Sequence, residues 1–96
     1  MYGGVRAVLG PKWSLEVLDL LSAEGPLNFT DIEEAFETSA DVITRRLRLL
    51  EDHGLIERTP HSSRDVRYTI TEDGQAVLDR VVEIADRLTS YPSSDS

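Results

Sequence analysis

The chain has 96 residues, no cysteine and a formal net charge of -8, from 18 acidic and 10 basic side chains. That length supports one modest core and argues against a deeply enclosed catalytic pocket, while the missing thiols exclude disulfides, thiolate metal sites and thiol redox chemistry. No apolar run approaches the roughly 20 residues of a membrane span and the first residues lack the features of a secretion signal, so a soluble cytoplasmic protein with no membrane partner is expected.

In chain order, "GPKWSLEVLDLLSAEG" predicts the first strong helix. Pro11 suits its first position, Trp13, Val17, Leu20 and Leu21 form an apolar stripe, and Gly25 and Pro26 stop it. "PLNF" has room only for a turn or a very short strand. Thr30 and Glu33 match a capping box, in which hydroxyl and carboxylate each satisfy the other's backbone N–H, so a short helix from Asp31 to Phe36 should follow. Thr38 or Ser39 can cap a third helix running from Ala40 to about His53, with Gly54 as its left-handed stop.

"LIERTP" and "VRYTIT" then alternate apolar and polar side chains with period two around a polar tip, "HSSRD", and read as an antiparallel hairpin. Thr71 caps the last helix, whose Val77, Leu78, Val81, Val82, Ala85 and Leu88 recur at helical spacing. The order helix, short strand, helix, helix, strand, strand, helix is that of a winged helix-turn-helix, mainly α with a small β-hairpin. It forms one domain over residues 1–90, followed by a Ser-rich tail, 91–96, that should fray.

The charge is uneven. Residues 38–70 carry 6 basic against 5 acidic groups, whereas 1–37 carry 2 against 7 and 71–96 carry 2 against 6. On the third helix Ile43, Leu47 and Leu50 share a buried face, Asp41, Arg45, Arg48 and Asp52 lie opposite, and Thr44 flanks one side with Val42 and Arg46 on the other. Such a helix suits the major groove of double-stranded DNA, because arginine pairs bidentately with guanine or clamps a phosphate, and Thr and Val suit base edges and thymine methyl groups. Ser39, Asp41, Val42, Thr44 and Arg45, near the helix start, would reach deepest, while Arg46 and Arg48 would grip phosphates. Asp41 either accepts from a cytosine amino group or simply complements the positive end of the helix.

The wing, about Leu55 to Ile70, offers Ser62, Ser63, Arg64 and Arg67 to a flanking groove or the backbone. The plain alternatives are a solvated helix face and an ordinary polar turn; the place of the basic run on the third helix favours DNA. A winged-helix module that serves protein partners, with little or no DNA binding, is the alternative function. The last helix carries more apolar surface than a small core needs, so Leu78, Val81, Val82, Ala85 and Leu88, joined by Val5, Val8 and Leu9, are expected to form a homodimer. His53 and His61 lack metal-site spacing, and no activated nucleophile or phosphate loop appears, so neither catalysis nor a metal or other cofactor is expected.

Several short motifs, in order, carry a family resemblance. They are Gly10-x-Lys12-Trp13, then Gly25-Pro26 with Phe29, Thr44-x-Arg46-Leu47, Leu50 with Gly54-Leu55-Ile56-x-Arg58, and Tyr68-x-Ile70-Thr71-x-x-Gly74. Together they resemble winged helix-turn-helix transcriptional regulators of the HxlR type, and MarR- and ArsR-like regulators share several of them. The resemblance implies a DNA-binding regulator, usually a homodimer joined through its first and last helices, with the third helix in the major groove. The chain departs from that pattern in lacking the cysteine common near the N-terminus, in placing Asp65 where a basic residue is usual, and in placing Arg67 where an acidic one is frequent. Its acidity, with Lys12 the one lysine among ten basic residues, resembles proteins of salt-in halophilic archaea, whose surface carboxylates keep them hydrated in concentrated salt. An ordinary acidic domain is the plain alternative.

Overall fold

A computed structural model describes residues 2–90. Its elements are α1 (Tyr2–Leu9), α2 (Ser14–Glu24), β1 (Leu27–Asn28), α3 (Phe29–Ala35), α4 (Ala40–Asp52), β2 (Ile56–Ser62), β3 (Asp65–Ile70) and α5 (Glu72–Ser90). The strands form an antiparallel sheet in the order β1-β3-β2. This is a winged helix-turn-helix: α3 and α4 make the helix-turn-helix pair, and β2 and β3 make the wing.

The core sits where α2, α3 and α4 meet the inner end of the sheet. Val17, Leu18, Ile32, Ile43 and Leu50 are fully buried there, and Leu47, Leu21 and Ile56 are 2% exposed. Burying a side chain of this size contributes roughly 1.5–3 kcal/mol each. The apolar face predicted for the third helix is therefore the face that fastens α4 to the domain.

Four local readings need correction. The segment ahead of Gly10 is helical, although two glycines in its first turn lower its propensity. The next helix begins at Ser14 and not at Pro11, because Trp13 adopts a left-handed backbone, φ 79°. A left-handed residue with a Cβ is disfavoured by about 1–2 kcal/mol, and here it turns the indole out of the helical stripe and onto Phe36, 5.2 Å between ring centroids. Asn28, not Thr30, caps α3: its side chain accepts from the Asp31 N–H at 2.8 Å, and the Asp31 carboxylate accepts the longer return bond from Asn28 N–H at 3.5 Å. The reason is tertiary, since β1 pairs with β3 through Leu27 and Asn28 and leaves the chain extended at Asn28.

The fourth correction concerns the wing tip. The strands run on to Ser62 and Asp65, so the turn is Ser63 and Arg64 alone, and the register shifts between Pro60 and Ser62. Other caps follow the sequence. Ser39 accepts from Val42 N–H, Gly54 ends α4 with φ +73°, and the Thr71 hydroxyl accepts from Gly74 N–H while donating to the Gly54 carbonyl at 2.7 Å. The tail expected to fray, 91–96, lies outside the described residues.

Candidate nucleic-acid interface

The exposed surface of α4 is set by its buried one. With Ile43, Leu47 and Leu50 inward, Asp41, Thr44, Arg45 and Arg48 stand exposed on the outward side, and Val42 is half-buried at its edge. Ser39 is exposed, but its hydroxyl is engaged as the helix cap at 3.3 Å from Val42 N. Ser62, Ser63 and Arg64 are exposed at the far end of the wing.

Two arginines of the expected DNA surface have internal partners. Arg46 is half-buried, and its Nε donates to the Lys12 carbonyl at 2.7 Å, tying α4 to the connector between α1 and α2. The Lys12 ammonium lies 5.0 Å from the Trp13 ring centroid, so one short connector holds the indole, the ammonium and the guanidinium together. Arg67 makes an ion pair with Asp65, 2.8 Å, supplemented by a hydrogen bond of 3.0 Å from Nε. That hydrogen bond and the attraction of the Asp65 carboxylate hold the Arg67 guanidinium above the usual arginine range. The unusual pair of wing residues, Asp65 and Arg67, thus satisfy each other.

Strand parity separates the wing arginines. Ile56 is buried, so Arg58, two residues on, shares its face, and Arg58 stands directly across from Tyr68. Arg67 pairs with Thr59 on the opposite face, where both line a shallow hollow with Pro26 and Thr69. The face carrying Arg58 and Tyr68 looks toward α4 and, with Phe29, Thr44, Leu47, Arg48 and Glu51, encloses a cleft of about 310 Å³.

The expected dimer residues divide by burial. Val8 and Leu78 are 8% and 6% exposed and belong to the chain's own core, and Leu9 and Val81 are half-buried. Val5, Val82, Ala85 and Leu88 are exposed, as is Ile84, which sequence spacing did not assign to the interface. Among the described residues no cluster of three or more His, Cys, Asp or Glu side chains is placed to hold a metal ion, and no helix is long and apolar enough to cross a membrane.

Residues 8–96 match the model of the HxlR-like helix-turn-helix family. The chain belongs to that family. An uncharacterized HTH-type transcriptional regulator of Halalkalibacterium halodurans is 24% identical over 88 residues, 88% of this chain and 78% of the relative. The reduced form of the transcriptional regulator YodB from B. subtilis superposes with a TM-score of 0.82 at 25% identity, covering 96% of this chain and 92% of YodB. A possible HxlR family transcriptional factor from Thermoplasma volcanium gives 0.74 at 27% identity, covering 90% and 79%. The HxlR-like chain is thus a DNA-binding transcriptional regulator by family. Sequence reasoning did not place Arg58 on the expected DNA surface, although the structure sets it on the side of α4. Its signal was available, since buried Ile56 fixes the parity of β2 and places Arg58, but not Arg67, on the side of α4.

Proposed function

We propose that this HxlR-like protein regulates transcription as a homodimer that places α4 in the major groove of duplex DNA and the wing on the flanking groove or backbone. The observation that carries this reading is the outward side of α4, where Thr44, Arg45 and Arg48 are exposed on a helix whose opposite side is buried. Thr44 and Arg45, in the first half of α4, read base edges, and Arg48 holds the backbone. Asp41 accepts from a cytosine amino group or complements the helix N-terminus. Ser39 and Val42 help seat the helix start, Ser62, Ser63 and Arg64 meet the flanking groove, and Arg67 serves through the shape it gives the wing with Asp65. Arg46 supports the angle of α4 through Lys12.

The dimer joins α5 and α1 of two copies through Val5, Val82, Ala85 and Leu88, with Leu9 and Val81 at the margin and Val8 and Leu78 beneath. A two-fold dimer presents its α4 helices about 34 Å apart and selects a pseudo-palindromic site. The net charge of -8 further suggests work in concentrated salt, as in a halophilic archaeon. At about 1 M salt the Debye length is only about 3 Å, so short-range fit must replace long-range attraction and the salt slope of binding should be shallower than that of a basic regulator.

The test is fluorescence polarisation on duplexes recovered by selection from random DNA. Arg45→Glu and Arg48→Glu should each weaken binding by at least tenfold, with Arg45→Glu also relaxing sequence preference. Absence of duplex binding by the wild-type protein at any salt rejects the regulator reading and leaves an interaction module for protein partners.

A further inference from the structure

The cleft between α4 and the wing has a composition that its neighbours on the surface lack. Thr44, Leu47, Arg48 and Glu51 are spaced i, i+3, i+4 and i+7 along α4, so they form one stripe of that helix. Arg58 and Tyr68 face them as cross-strand partners on β2 and β3, and Phe29 and buried Leu47 supply apolar lining. Two arginines from two different elements, Arg48 and Arg58, therefore line one concavity together with Thr44 and Tyr68. Among the described residues neither Arg48 nor Arg58 has an ion-pair or hydrogen-bond partner within the chain. Arg46 and Arg67, by contrast, are already occupied.

We infer that this cleft is a phosphate clamp, in which Arg48 and Arg58 hold one phosphodiester of duplex DNA between the recognition helix and the wing. The inference rests on the regulator reading and adds to it a residue, Arg58, and a ligand group. A phosphate fits the chemistry: it is a tetrahedral anion that accepts from two guanidinium forks at once, and the neutral phenol of Tyr68 can donate to a remaining oxygen. A base edge fits less well, because it is planar and offers no charge to match two cations. Glu51 opposes the clamp from the same stripe, leaving a local surplus of one positive charge on a protein that is acidic elsewhere. The clamp thus fixes how far the wing and α4 straddle one strand, and it is the glutamate that keeps the site from gripping every phosphate strongly.

The opposing glutamate makes the test robust against misfolding. On a selected duplex, Arg58→Gln should lower affinity about tenfold on all sequences alike and reduce the log–log salt slope by about one. Arg58→Lys should keep that slope, Arg80→Gln, on α5 and outside the proposed DNA surface, should leave it unchanged, and Glu51→Gln should tighten binding severalfold. Replacing single phosphates by neutral methylphosphonates should reveal one position per half-site where the wild-type protein loses clearly more affinity than Arg58→Gln does. Inorganic phosphate, titrated into the free protein and followed by NMR, separates a free-ion site from a DNA site. If Arg58→Gln abolishes phosphate binding but keeps wild-type DNA affinity and slope, the DNA clamp is overturned. If the wild-type protein binds duplex and neither Arg58→Gln nor Glu51→Gln alters affinity or slope, the clamp fails while the regulator reading stands. If the wild-type protein binds no duplex, both fall.

Discussion

At the scale of single residues, the motif glycine Gly74 has a steric role that the sequence alone does not specify. It lies in the first turn of α5, and a Cβ there would overlap the Leu55 carbonyl oxygen and crowd the Ile70 side chain. The same carbonyl accepts from the Thr71 N–H at 3.0 Å, so backbone from the end of α4 and backbone from the start of α5 meet at this point. Neither partner is the flexible end of a long side chain. Gly74→Ala is accordingly expected to destabilise the fold by about 1–3 kcal/mol, the usual range for overpacking, seen as a lower midpoint in urea or thermal unfolding. A midpoint equal to wild type would show that α5 can shift without loss. Two of the three wing arginines, Arg58 and Arg67, teach a related point. Both are visible as positive charges in the sequence, but only register with a buried neighbour tells which one faces α4, and only the paired Asp65 shows that Arg67 is engaged.

At the scale of elements, the strongest periodicities translated directly. The stripe of Ile43, Leu47 and Leu50 and the antiparallel pairing of β2 with β3 depend on contacts repeated along an element, so no single neighbour can overrule them, although the expected alternation is not seen in burial: only Ile56 of β2 is buried and β3 is half-buried throughout. Ends are set by one or two contacts and were less legible. Thr30 and Glu33 have the capping-box pattern, yet β1 pairing carries extended backbone to Asn28 and starts α3 two residues earlier. Likewise, Trp13 left the apolar stripe of α2 because Phe36 and Lys12, distant or adjacent in sequence, offer its ring a better seat than the helix does. α1 gave little signal because its glycines mask an element that is held by packing of Val8 and Leu9 on the core. The cap assignment is directly testable: Asn28→Ala should cost about 1 kcal/mol and lower the melting midpoint by about 4–8 °C, whereas Thr30→Ala should change it little. The reverse order of effects would restore Thr30 as the cap.

At the scale of the whole molecule, the large exposed apolar side chains lie on α1 and α5, whereas Arg45, Arg48, Arg58 and Arg64, exposed and without internal partners among the described residues, lie on α4 and the wing. Val82 and Leu88 are 48% and 72% exposed on α5, and Val5 is 55% exposed on α1, beside a shallow apolar hollow that Val8, Leu9, Leu55 and Val77 also line. Val82→Glu with Leu88→Glu should therefore yield a monomer in sedimentation equilibrium while keeping the helical circular dichroism, since neither side chain packs in the core. The same variant should lose most of its affinity for a two-half-site duplex and retain that for a half-site. A wild-type chain that stays monomeric at tens of micromolar would reject this interface.

The wing also governs which kinds of association the fold permits. β2 is an outer strand of the sheet, and it carries Pro60, which has no N–H to donate, beside the register shift that breaks its regular repeat. The opposite edge, β1, is only two residues long. Neither margin offers a long row of backbone groups onto which another chain could add a strand, so the sheet is guarded against open-ended stacking of copies. An exposed hairpin guarded in this way is kept from becoming a seed for fibrils, and in the proposed dimer self-association falls to helices, where a two-fold contact closes and stops.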